Sequence, residues 1–251
     1  MARVSLRIVQ LSDLHLRPRV DDRRWETFER LLAELSAQLG GFDRIVLTGD
    51  LAAHGERSVY ESLRARVAAY LPQLRVVSGN HDTRHHLRGV FEDRFVLGPS
   101  TLNFVEDLKG VRLIGLDSTQ PFRVGGTLGK TQLDWLAGML PVATPSLIFL
   151  HHPPLAVGSW WLDKDRLRDR MALARVLQDQ NVLGIFCGHV HQEFEGRLGA
   201  IPVWTTPSTA YQFKPRSLIP RTEAKEPGFR VIEVHDGLLH TQVIRSANPS
   251  S

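Results

Sequence analysis

The 251-residue chain is poor in sulfur, with one cysteine, Cys187, and three methionines. A lone cysteine excludes an intrachain disulfide and a thiolate-rich metal site, and it fits a reducing compartment. Long hydrophobic runs are also missing. The longest fall far below the ~20 apolar residues that a membrane-spanning helix requires. Nor does a leader-like stretch open the sequence, since residues 1–10 carry two arginines and run straight into a strand pattern. These absences point to a cytoplasmic protein with no membrane partner. No repeat or linker divides the chain, so residues 1–251 read as one domain with a frayed tail at 246–251.

Charge of one sign is not concentrated either. The formal net charge is +4, but basic residues alternate with acids, as in Asp21-Asp22-Arg23-Arg24 and Asp163-Lys164-Asp165-Arg166. A nucleic-acid surface needs them clustered, so a solvated mixed-charge face is expected and no nucleic-acid partner. With 42% hydrophobic residues the chain has enough apolar material for a sizeable core.

Short runs of Val, Ile and Leu are plentiful. Residues 4–11, 44–47, 74–77, 111–116, 146–150, 183–187, 201–205, 229–234 and 238–244 read as strands, mostly continuous rather than alternating, as in strands covered on both faces. Between them, apolar residues recur at three and four: Trp25, Phe28, Leu32, Leu35 and Leu39; Tyr60, Leu63 and Val67; Leu133, Leu136 and Leu140; Leu167, Met171, Ala174 and Leu177. The aromatic and Met residues of these stripes are expected in the core. Thr131, with Asp134 three residues on, reads as a capping box with Asp replacing Glu. Strands alternating with helices imply a layered α/β architecture, with ligands held by the loops after the strands. The last third is richer in strands, which suggests an antiparallel edge or a second sheet.

Five polar motifs close strand-like runs: Asp13-Leu14-His15, Gly49-Asp50, Gly79-Asn80-His81-Asp82, His151-His152-Pro153 and Gly188-His189-Val190-His191. Asp13 and His15 are two apart, so strand geometry puts both on one face, where they can chelate one ion. His189 and His191 repeat that spacing. Asp50 alone would start a turn, but in this company its carboxylate can bridge two ions about 3.5–4 Å apart, the spacing of two-metal hydrolytic sites. Asn80 adds a neutral amide oxygen, and Pro153-Pro154 ends the strand before His151. Imidazoles, carboxylates and an amide without thiolate suit a pair of borderline or hard ions.

The order DxH, GD, GNHD, HHP, GHxH resembles the calcineurin-like metallophosphoesterase superfamily. Gly158-Ser159-Trp160-Trp161-Leu162-Asp163 and Thr206-Pro207-Ser208-Thr209, followed by Gln212-Phe213-Lys214-Pro215, are similar to its class III cyclic nucleotide phosphodiesterase branch. The resemblance runs from about residue 6 to about residue 245. It implies a four-layer αββα sandwich of mixed β-sheets flanked by helices, and two metal ions, iron with manganese. One ion falls on Asp13, His15, Asp50 and His191, the other on Asp50, Asn80, His151 and His189, with His152 behind them. Thr206, Ser208 and Gln212 are implied at the site rim.

Protein phosphatases of the superfamily read GDxVDRG, whereas this chain has Gly49-Asp50-Leu51-Ala52-Ala53-His54-Gly55. The missing arginine argues against a protein phosphatase, because bidentate phosphate recognition is arginine's role. The missing aspartate leaves His81 to be oriented from elsewhere, with Asp82 as a candidate. The expected reaction is hydrolysis of a 3′,5′-cyclic nucleotide, cyclic AMP to 5′-AMP. A metal-bridging hydroxide attacks phosphorus, His81 protonates the departing ribose oxygen and Asn80 stabilises the transition state. Asn80, His81, His191, Trp160 and Trp161 are the candidate substrate contacts, the tryptophans as a stacking wall. Glycerophosphodiesters, 2′,3′-cyclic nucleotides and phosphomonoesters are alternative substrates of the same site. Monomer and homodimer both remain open.

Overall fold

Apolar strands buried on both faces need cover on both sides, and the chain supplies it with two sheets and two helical layers. A computed structural model describes residues 5–19, 22–95, 101–140 and 143–246, so the tail past Ser246 lies outside the described residues. In chain order the elements are β1 (Ser5–Leu11), α1 (Arg23–Leu39), β2 (Arg44–Thr48), α2 (Arg57–Arg66), β3 (Leu74–Val77), α3 (Arg84–Phe91), β4 (Phe104–Leu108) and β5 (Val111–Leu116). There follow α4 (Gly129–Met139), β6 (Ser146–Leu150), α5 (Trp160–Asp163), α6 (Arg170–Leu177), β7 (Val182–Cys187), β8 (Phe194–Leu198), β9 (Ile201–Thr205), β10 (Gln212–Phe213), β11 (Thr222–Glu223), β12 (Gly228–His235) and β13 (Leu238–Arg245).

One sheet runs β13-β12-β1-β2-β3, the other β4-β5-β6-β7-β9-β8, with β10 and β11 as a separate hairpin. Both sheets are mixed. β1, β2 and β3 are parallel with β12 antiparallel to β1, while β5, β6, β7 and β9 are parallel with antiparallel β4 and β8 at the edges.

Period-two alternation sorts the side chains between layers. Leu6 and Ile8 of β1 meet Leu147 and Phe149 of β6 and Phe186 of β7 in the core between the sheets. Val9 and Leu11 face the other way, onto Trp25, Phe28 and Leu63 of α1 and α2. Ile148 and Leu150 likewise turn from the inter-sheet core toward Leu136 of α4 and Leu173 of α6. The result is the expected αββα sandwich.

Some local expectations fail. β4 and β8 escape a search for continuous apolar runs because they are edge strands with alternating polar residues (Phe-Val-Glu-Asp-Leu and Phe-Glu-Gly-Arg-Leu). Thr131 is no cap, since α4 begins at Gly129. Its first N–H groups, of Leu128 and Gly129, donate instead to the Asp169 carboxylate at 2.8–3.2 Å. Asp134 pairs with Lys130 one turn earlier. Met171 is 60% exposed rather than core, because α6 buries Leu173 and Leu177. Cys187 is a buried free thiol, as expected.

Candidate metal centre

β1, β2, β3, β6 and β7 each end in a loop carrying one of the five motifs, and hydrogen bonds tie these loops together. Asp13 and His15 donate their backbone N–H groups to the carbonyls of Gly49 (3.1 Å) and Asp50 (2.8 Å), so the first two loops run side by side. The His189 N–H donates to the Asp13 carboxylate at 3.1 Å, joining the two sheets. Close approach explains the glycines. A Cβ on Gly79 would overlap the Asp50 carboxylate, and one on Gly188 would overlap Ser12 Oγ.

Five of the seven candidate ligands adopt positive φ: Asp13 (54°), His15 (46°), Asp50 (52°), His189 (70°) and His191 (48°). Non-glycine residues rarely do so, and each costs of order 1–3 kcal/mol unless the surroundings impose it. The strain therefore concentrates where the side chains converge.

The convergence is tight. His15 Nε2 lies 3.0 Å from His191 Nε2 and 3.6 Å from Asp50 Oδ2, and His191 Nε2 is 3.4 Å from Asp13 Oδ1. His151 Nε2 is 3.5 Å from Asp50 Oδ2 and 3.2 Å from Asn80 Oδ1, which is itself 3.1 Å from His189 Nδ1. All seven residues thus meet in one cluster, with Asp50 touching both halves. Asp13, His15, Asp50, His151, His189 and His191 are buried.

Backbone carbonyls set the imidazoles. His151 Nδ1 donates to the Thr48 carbonyl (2.8 Å) and His191 Nδ1 to that of Tyr211 (2.9 Å), which turns each Nε2 toward the cluster. His151 Nε2 then faces only acceptors, Asn80 Oδ1 and the carboxylates. Either a proton or a metal cation must lie between them, and the donor set fits a pair of cations. Without metal, burial disfavours the His151 imidazolium, but the Asp50 and Asp13 charges prevail and raise its pKa to about 9. Burial pushes His15 and His152 down to about 3 and His189 well below its usual range, so these rings are neutral. Burial alone would raise the Asp13 and Asp50 carboxyls; the neighbouring imidazoles, His191 at Asp13 and His151 at Asp50, hold both below the usual carboxylate range.

His152 has both nitrogens committed, Nδ1 with Ser118 Oγ and Nε2 with the Val124 carbonyl, each at 2.8 Å, so it braces the 118–124 loop behind His151. His81 sits at the open side, 44% exposed, with Nε2 3.9 Å from Asp50 Oδ2. Its partner is not Asp82. His81 Nδ1 lies 2.9 Å from the Ala53 carbonyl, while Asp82 accepts from the N–H groups of Leu51, Ala52 and Gly79 and from Tyr60 Oη–H.

Thr206, Ser208 and Gln212 are buried beneath the loops rather than at the rim. Ser208 Oγ–H donates to the Asp13 carbonyl (2.7 Å) and Thr206 Oγ1–H to Gln10 Oε1 (2.6 Å). Of the two tryptophans, Trp161 lines the cleft with Leu162 and Phe213. It packs edge-on against Phe213 (4.7 Å), which stacks on His191 (4.5 Å). Trp160 is 67% exposed and lies outside the cleft. Phe213 belongs to the Gln212-Phe213-Lys214-Pro215 stretch of the resemblance but was given no role there; Tyr211 and the Ala53 and Thr48 carbonyls were not singled out, and a carbonyl has no residue-type signal to find.

The family model of calcineurin-like phosphoesterases matches residues 6–193. The chain is 33% identical over 253 residues to the 3′,5′-cyclic adenosine monophosphate phosphodiesterase CpdA of Escherichia coli K12, covering 97% of this chain and 90% of that protein. The CpdA of Pseudomonas aeruginosa is 32% identical, covering 96% and 90%. The cAMP/cGMP dual specificity phosphodiesterase MT0825 of Mycobacterium tuberculosis is 37% identical over 76% of this chain and 60% of that one. A dimetal phosphatase from Danio rerio superposes with a TM-score of 0.68 (15% identity, 98% of this chain, 100% of that one), and shows the same fold. The family model takes in the five donor loops, and the curated relatives align over nearly the whole length: the chain belongs to the calcineurin-like phosphoesterases.

Proposed function

We propose that this protein is a binuclear-metal phosphodiesterase that hydrolyses 3′,5′-cyclic nucleotides, cyclic AMP to 5′-AMP, acting in the cytoplasm. The observation that carries this reading is the convergence of seven nitrogen and oxygen donors at one end of both sheets, in a chain one-third identical to a cyclic AMP phosphodiesterase. Asp13, His15, Asp50 and His191 would hold one ion, and Asp50, Asn80, His151 and His189 the other, with iron and manganese as the proposed metals. Bound there, such ions supply Lewis-acid charge neutralisation and activate water near neutral pH.

The chain's own groups do the rest. Asn80 directs Oδ1 at His151 and His189, which leaves its amide N–H groups for a phosphoryl oxygen. The Ala53 carbonyl fixes His81 Nδ1 as the N–H, so the proton for the departing 3′-oxygen passes from Nε2. Trp161, Leu162, Val124 and Phe213 wall the cleft and limit water around the reacting diester.

The test is hydrolysis of cyclic AMP by purified protein reconstituted with Fe²⁺ or Mn²⁺, beside Asn80→Ala. Metal-dependent 5′-AMP formation, lost in the variant, is expected. Cleavage of bis(p-nitrophenyl) phosphate without turnover of any cyclic nucleotide would keep the chemistry and overturn the substrate.

A further inference from the structure

Two hollows adjoin the donor cluster. The smaller, about 90 Å³, lies over the metal-site side chains and ends against Trp161 and Phe213. The larger, about 450 Å³, opens from Asn80 and His81 and runs between the start of α3, at Arg84 and His85, and residues 119–122. Its size is that of a small-molecule subsite.

Phe122 stands at the edge of this larger hollow, and neither packing nor backbone preference accounts for it. Its side chain is fully exposed, so it adds nothing to the core. Its φ is +59°, at the third position of a four-residue turn closed by the Arg123 N–H on the Gln120 carbonyl (3.3 Å), with Pro121 second. That pattern calls for glycine or asparagine, and a bulky ring there is strained. Strain at an exposed position persists at ligand clamps when the flanks are held. Here they are: buried Asp117 accepts from Arg84, Ser78 and Thr119 on one side, and His152 holds the Val124 carbonyl on the other.

We propose that Phe122 is the stacking face of a nucleobase subsite on the His81 side of the metal centre. The inference rests on the cyclic nucleotide reading above. With phosphorus over the metal-site donors and the departing 3′-oxygen at His81 Nε2, the ribose projects past His81. Its base then enters the larger hollow, where Phe122 offers the aromatic face that every nucleobase can stack on.

The test compares wild type, Phe122→Gly and Phe122→Tyr, each metal-loaded. Calorimetry reads the affinity for 5′-AMP and for ribose 5-phosphate, which has no base; steady-state kinetics read KM for cyclic AMP. Phe122→Gly is expected to weaken 5′-AMP binding and raise KM for cyclic AMP by about 5- to 100-fold, the worth of one base–aromatic stack. Ribose 5-phosphate affinity stays within twofold, the melting temperature does not fall because the turn favours glycine, and Phe122→Tyr behaves as wild type. Unchanged 5′-AMP affinity in Phe122→Gly, or equal losses for both ligands, would overturn the subsite while leaving the substrate reading intact. A wild type that turns over no cyclic nucleotide but cleaves bis(p-nitrophenyl) phosphate overturns the substrate reading, and this inference with it.

Discussion

His81 Nδ1 lies 2.9 Å from the Ala53 carbonyl and its Nε2 points at the cluster, 3.9 Å from Asp50 Oδ2, so under the proposed function Nε2 is the atom that would give a proton to substrate. His81→Ala is therefore expected to lower kcat for cyclic AMP by about 10²–10⁴-fold. Bis(p-nitrophenyl) phosphate, whose leaving group departs without a proton, should lose far less. Steady-state assays on both substrates decide it, and an equal loss on both would mean that His81 serves binding or structure instead. At this scale the donor side chains were legible because imidazole and carboxylate pairs at strand ends are uncommon as a set. What orients them was not. Asp82 looked like a partner for His81 but satisfies backbone N–H groups of the neighbouring loop, and the carbonyls of Ala53, Thr48 and Tyr211 that aim the rings belong to residues with no chemical signature.

Elements were legible where both faces are apolar and harder to read where one is not. β3, β5, β6 and β9 have the limits that their Val, Ile and Leu runs set out, while the polar edges β4 and β8 passed unnoticed. Caps made in three dimensions leave still less trace. α4 has no capping side chain of its own at Leu128; Asp169, about forty residues on, reaches back to its first N–H groups from the start of α6. Asp169→Ala should thus cost about 1–2 kcal/mol, as a lost N-cap does. For a chain of this size that lowers the melting temperature by roughly 2–8 °C. Differential scanning calorimetry measures it, with metal content as the control. α4 supplies no donor to the cluster, although the segment leading into it packs on His152, so metal content is expected to hold; a loss of metal would mean that this cap also supports the site.

Across the whole molecule, the candidate centre joins the two sheets. Asp13, His15, Asp50 and Asn80 come from loops after β1, β2 and β3, whereas His151, His189 and His191 follow β6 and β7 of the other sheet. Ions held there would tie the two halves of the sandwich together, so chelation should lower the melting temperature, in line with linkage to a ligand bound only by the folded state. The pH dependence has a definite sign. In the metal-free protein the Asp50 and Asp13 charges lift His151 from its usual 6.5 to about 9. The stability that its proton supplies is complete below pH 6.5 and is lost as pH rises through 9. Metal binding works in the opposite sense, since His151 can serve as a ligand only after losing that proton. The gap in melting temperature between the metal-loaded and chelator-treated protein should therefore widen steadily from pH 6.5 to 9, with about one proton released per chain on loading at pH 7, read by titration calorimetry in buffers of different ionisation enthalpy. A gap that narrows over that range, or loading without proton release, would show that metal loading does not displace a proton from His151.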